Sequence, residues 1–231
     1  MKPTLRNFAL GLFLLALLSP ATAPAQTNRA EGFSKLPPGA KIVLPPIDIE
    51  LFEISAGGVA EPRADWTKSA LQHVKDLLRE RKAKIGAQIA ELQDDGSEQV
   101  EELNRLHGAV GAAILMHHFG QLTLETKDGK LDWTLGVEAD VLRQRSGADY
   151  ALFTYVRDAY ASGDRIATMI VGLLFRQLIV PGSGQVGYAS LVDLRTGRIV
   201  WFNRIVRVMG DLRERDKAAE TLDALLNGFP Q

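Results

Sequence analysis

The 231-residue chain has no cysteine, so a disulfide, a thiolate metal ligand and a lipid carried on a cysteine are all excluded. It also lacks an excess of positive charge: 27 Lys and Arg stand against 28 Asp and Glu, which excludes the basic face of a nucleic-acid binder. Neither an H-E-x-x-H zinc motif nor a G-x-S-x-G nucleophile elbow is present. With 46% apolar and 24% charged residues, the chain has the composition of a globular protein and enough length for a full core.

The first stretch is an address. Lys2 and Arg6 precede the apolar run Phe8–Leu18, Ser19-Pro20 breaks it, and Ala23-Pro24-Ala25 offers small residues to a signal peptidase. Eleven residues are too few to span a bilayer, which takes about 20. Residues 1–25 are therefore predicted to be a cleaved signal peptide, delivering a soluble, unlipidated protein to the periplasm. Cleavage removes two of the 27 basic residues and none of the 28 acidic ones, leaving a net charge of −3.

Residues 26–41, rich in Pro, Gly and small polar side chains, are predicted to form a flexible mature N-terminus, and 42–231 a single α/β domain. Ile42-Val43-Leu44 reads as a short buried strand stopped by Pro45-Pro46, with an extended pattern resuming to Ile54. Prolines leave ladder positions without an N–H, so an edge or interrupted strand is expected there. Leu71, Val74, Leu78, Ile85, Ile89 and Leu92 then form a helical stripe, and Val100, Leu103, Leu106, Val110 and Ile114 a second one. Gly96 and Ser97 lie between them as stop and start, so the pair is expected to pack as a long helical hairpin. Arg79–Lys84 reads as a solvated face.

Further on, Lys127–Lys130 marks a turn, and Leu135–Gln144 a short helix ending near Gly147. Three β-like runs follow: Tyr150–Arg157, Val186–Leu194 and Arg198–Val206, the last two joined through Gly197. Glu214–Asn227 reads as a closing amphipathic helix stopped by Gly228. The expected fold is thus mixed α+β: a sheet of about four or five strands covered by helices.

Candidate chemistry is sparse. His107 and His118 lie close to three helical turns apart and could face one way, but no third zinc ligand sits nearby. Asp149, Asp158, Asp164 and Asp193 fall at strand ends or in loops, where turn and capping duties account for each. Ser190 sits within a strand. Gly182–Gly187 satisfies G-x-G-x-x-G but leads into a strand rather than a helix, so a loop is expected. Trp201 reads as core; Trp133 and Trp66, at element edges, are better placed to anchor a partner. Arg165–Val180 is strongly apolar and reads as a buried or partner-facing helix, with Ile166, Met169, Ile170, Leu173, Leu174 and Phe175 as its contact residues.

Two stretches carry a family likeness: Gly147-Ala148-Asp149-Tyr150-Ala151-Leu152, and Leu191–Trp201 with its Asp193-Leu194-Arg195-Thr196-Gly197 turn. Together they resemble the periplasmic fold of the curli secretion channel family. The amino-terminal domain of the Tol-system β-propeller protein and the lipoprotein activators of peptidoglycan synthases are similar. The resemblance implies an α/β envelope protein acting through protein–protein contacts, often oligomeric, with no catalytic residues to carry over. The chain departs by lacking the lipidated cysteine and by an Asp158–Gln185 stretch that does not alternate as a membrane hairpin would, and both count against a channel.

The expected function is a non-catalytic envelope accessory or assembly factor, without cofactor or nucleic acid, that binds an envelope protein, with homo-oligomerisation as a further expected contact. The alternatives are a periplasmic metal-dependent enzyme using His107 and His118, and a small-molecule or glycan binder.

Overall fold

The structure, a computed structural model, describes residues 27–55, 59–85, 88–93, 95–161, 184–207 and 210–231. Its organising strand is β5 (Tyr150–Ala161), which pairs antiparallel with β6 (Gly184–Asp193) on one side; β6 in turn pairs antiparallel with β7 (Ile199–Arg207). On its other side β5 pairs parallel with β1 (Lys41–Leu44) at one end and β2 (Asp48–Ile54) at the other. β4 (Gln88–Glu91) lies parallel outside β1, and β3 (Ala60–Pro62) antiparallel outside β2. Among the described residues, seven strands thus fill a sheet five ladder positions wide.

The interrupted strand expected at Pro45-Pro46 is present, and its register explains it. Val43 pairs with Ala151 and Asp48 with Tyr155, so the proline side carries one more residue than the β5 segment it faces. One extra residue exchanges the faces of a strand. Ile42 and Leu44 point into the same core as Ile49 and Leu51, an even set before the prolines and an odd set after them.

That core lies between one sheet face and α1 (Ala64–Ile85) with α4 (Arg215–Leu225); Ala70, Val74, Leu77 and Leu78 meet Ala218, Leu222 and Leu225 there, beside the fully buried Trp201. The opposite face is covered by α2 (Glu98–His117) and α3 (Asp140–Ser146), through Val100, Leu103, Ile114 and Leu142 over Phe153, Tyr188 and Phe202. Each fully buried aliphatic side chain contributes about 1.5–3 kcal/mol, which is what holds the three layers together without a covalent link.

Two expectations need correction. The long helical hairpin does not form: β4 intervenes, and α1 and α2 contribute to separate cores on opposite faces. Ile89, placed in the first helical stripe, is instead the one buried residue of β4, paired with Ile42. A four-residue strand with a single buried position has no period of its own to read. Secondly, the segment 26–41 is docked where it is described. Ala30 N–H donates to Val200 O at 3.0 Å and Phe202 N–H to Asn28 O at 2.9 Å, so residues 28–30 shield the outer edge of β7. Ala30, Leu36 and Ala40 are buried, and Phe33 packs on Tyr150.

Among the described residues no helix is long and apolar enough to cross a membrane. The predicted signal peptide, residues 1–25, lies outside the described residues, as does the Arg165–Val180 segment with Ile166, Met169, Ile170, Leu173, Leu174 and Phe175.

Candidate partner-binding site

The two motif stretches meet at one end of the sheet. Asp149 closes a two-way link with Lys41: its N–H donates to Lys41 O and its carboxylate accepts from Lys41 N–H, both at 2.9 Å. Leu194 N–H donates to Asp149 O at 3.0 Å, which ties the start of β5 to the β6–β7 turn. In that turn the Asp193 carboxylate accepts from Arg195 N–H at 2.9 Å, while Gly197 takes a positive φ of 71° and donates to Asp193 O at 2.8 Å. Asp149 and Asp193 thus have the turn and capping duties expected of them.

A second constraint fixes Gly197. A Cβ there would lie 1.9 Å from Gly136 O, so the connection between α2 and α3 presses directly on the turn. Leu135 N–H donates to Gly197 O, Ile199 N–H donates to Trp133 O, and Thr134 bridges Arg198. This connection contains only two single-turn 3-10 helices, Glu125–Lys127 and Val137–Ala139. Its shape is therefore set by where it is fastened.

What it displays is apolar. Val137 is 83% exposed and Leu122 49%. Trp133 is half-buried against the α2-side core, with Lys127 Nζ 5.0 Å from its ring centre; its indole N–H is buried and has no partner among the described residues. The tryptophan is thus the footing of the surface, and the more exposed apolar side chain is Val137, which as a single valine in a polar turn gives no periodic signal to find. Trp66, the other edge tryptophan, is covered by its own chain: Tyr160 meets it edge-on, and the Arg63 and Arg213 guanidinium groups lie 4.2 and 4.7 Å from its ring centre.

Beside the turn opens a cleft of about 380 Å³ lined by Pro37, Pro38, Gly39, Ala40, Arg143, Asp149, Tyr150, Asp193 and Arg195. Arg143 is paired with Asp140 at 2.5 Å. Partial burial, with Asp193 and Asp149 close by, raises the Tyr150 phenol above its ordinary range, so it stays protonated as a donor.

The groups considered for catalysis or metal binding are separated and engaged. His107 is buried under α2, stacked 4.6 Å from Phe153, with Nε2 2.6 Å from Ser190 Oγ. Burial lowers its pKa to about 3, which keeps the imidazole neutral. His118 caps the far end of the helix, its Nε2 2.9 Å from Thr27 O. The two histidines serve different contacts, and no cluster of three or more ligating side chains occurs among the described residues.

Asp158 differs from its expected role at a strand end. It sits inside β5, facing the α1–α4 core, where burial pushes its pKa up to about 6. The even positions Leu152, Val156 and Tyr160 carry that face, and the same parity delivers Asp158 into it. Of the G-x-G-x-x-G stretch, residues 184–187 belong to β6, and a Cβ on Gly187 would meet Tyr155 O at 2.9 Å, so that glycine permits strand contact. Gly182, Ser183 and Asp164 lie outside the described residues.

No family model matches the chain, and no curated protein sequence does. Similar solved structures include a PelC dodecamer from Paraburkholderia phytofirmans, at 13% identity over 83% of this chain and 92% of that one, TM-score 0.34. The LpoB C-terminal domain from Salmonella enterica is similar at 11% identity over 78% and 88%, TM-score 0.28. The lipoprotein GNA1162 from Neisseria meningitidis is similar at 15% identity over 81% and 96%, TM-score 0.30. At these scores the likenesses carry no argument about function.

Proposed function

We propose that the mature chain is a non-catalytic accessory factor of the cell envelope, exported by its signal peptide, that works by binding another protein through the motif end of its sheet. The observation that carries this reading is Val137: a large apolar side chain 83% exposed, on a connection fastened to the β6–β7 turn through Trp133, Leu135 and Gly136. An exposed apolar residue on a rigid footing offers contact area with little ordering entropy to lose on binding. The engagement of His107, Ser190, Asp149 and Asp193 within the fold supports a role without covalent or metal chemistry.

A photo-crosslinking residue at position 137, in cells that export the protein, tests the reading. A discrete envelope protein should be captured there, and Val137→Glu should abolish its co-purification, while Val59→Glu, between β2 and β3 and 60% exposed, leaves it intact. Equal co-purification with both variants would overturn the proposal.

A further inference from the structure

The cleft beside the β6–β7 turn holds charges of both signs that the fold uses only in part. Arg195 is exposed, and its guanidinium has no ion-pair partner among the described residues; only its backbone N–H is engaged, by Asp193. Asp149 and Asp193 each use one carboxylate oxygen on a backbone N–H, through Oδ2 and Oδ1 respectively. The Tyr150 hydroxyl has no hydrogen-bond partner among the described residues, and Pro37 and Pro38 add an apolar wall. Arg143 contributes a second guanidinium, already held by Asp140.

The sign balance restricts what such a cleft accepts. A purely anionic ligand would meet Asp149 and Asp193 as like charges, and a purely cationic one would meet Arg143 and Arg195 likewise. A neutral ligand would cover these groups without replacing their water, leaving charges desolvated and unpaired. A ligand with a carboxylate and an ammonium a few bonds apart matches both sets, the carboxylate meeting the arginine fork and the Tyr150 hydroxyl. The volume of about 380 Å³ is that of a small-molecule site, with room for a side chain against the prolines.

We propose that this cleft binds a small peptidic zwitterion, a free amino acid or dipeptide, through Arg195 and Tyr150 at the carboxylate and Asp149 and Asp193 at the ammonium. Calorimetric titration of the mature protein with alanyl-alanine tests it, using the N-acetylated dipeptide and the dipeptide amide as capped controls. Saturable binding is expected, weakened about tenfold or more by either cap, since each cap leaves one charge set of the cleft unpaired. Arg195→Gln, on the exposed turn, should bring the dipeptide down to the affinity of its amide while leaving the amide unchanged. Val137→Glu should bind the dipeptide as the wild type does. Absence of saturation at millimolar dipeptide, equal binding of the capped forms, or tighter binding of inorganic phosphate or a neutral hexose would each overturn the proposal.

Discussion

The carboxylate of Asp158 accepts a 2.8 Å hydrogen bond from the side-chain amide of Gln185, its cross-strand neighbour in the β5–β6 ladder. The same oxygen accepts from the Tyr160 hydroxyl at 2.5 Å and faces Leu212 N–H at 3.4 Å. Gln185 passes the connection on, its carbonyl oxygen accepting from Thr221 of α4 at 2.9 Å, and Leu212 O lies 3.2 Å from His73 of α1. Two strands and both helices of that layer are thereby tied at one buried carboxylate.

Asp158 and His107 should oppose each other in acid. With a folded pKa near 6 against an ordinary value of 3.8, Asp158 binds its proton more tightly in the fold, so its contribution is full below about pH 4 and is lost as pH rises through 6. His107, lowered from 6.5 to about 3, behaves oppositely: its contribution is full above about 6.5 and falls as pH drops toward 3. Each slope is about 1.4 kcal/mol per pH unit, and the two offset between about pH 4 and 6. Urea unfolding across that window should show Asp158→Asn losing stability toward acid relative to the wild type, and His107→Gln gaining it. At pH 7.5 Asp158→Asn should be the more stable protein by about 1–2 kcal/mol, because it removes a buried charge and keeps the acceptor. Parallel pH profiles for all three proteins would contradict the assignment.

The two α2 glycines that face the sheet should separate sharply. A Cβ on Gly111 would fall 2.1 Å from the Tyr188 ring, whose hydroxyl is held by Gly108 O, whereas a Cβ on Gly108 meets Tyr155 at an ordinary 3.4 Å. Gly111→Ala should therefore cost about 2–3 kcal/mol by lifting the helix. Gly108→Ala should be neutral or stabilising by up to about 1 kcal/mol through helix propensity. Denaturation midpoints decide it.

Deleting Pro45 should be far worse than replacing it. The deletion removes the extra residue that lets β1 and β2 share one core, so either Ile42 and Leu44 or Ile49 and Leu51 must turn away from α1. Loss of soluble expression is expected for the deletion, and a folded protein by circular dichroism for Pro45→Ala.

Much of this fold is legible in the sequence. Tyr150–Arg157, Val186–Leu194 and Arg198–Val206 declare themselves by β-branched and aromatic density, Gly197 takes the positive φ expected of its turn, and Gly147 and Gly228 end helices where the sequence places stops. Ile89 misleads because its spacing from Ile85 and Leu92 suits a helix, and only pairing with Ile42 makes it a strand. Asp158 was missed because a carboxylate near a strand end reads as capping, while its burial depends on Gln185, Thr221 and Leu212, which are remote in sequence. At the candidate site, Trp133 was visible by residue type; Val137 and the Arg195–Tyr150 cleft depend on how the connection folds back onto the turn.

The residues that shield β7 begin just behind the expected signal cleavage point: Thr27 O meets His118, and Asn28 and Ala30 complete the ladder. Cleavage at the predicted site would couple maturation to the shielding of this edge. A peptidase cut displaced downstream by a handful of residues would release a chain with a bare strand edge, an invitation to edge-to-edge association. On the predicted cleavage, fidelity of processing would also be a condition of staying apart from its own copies.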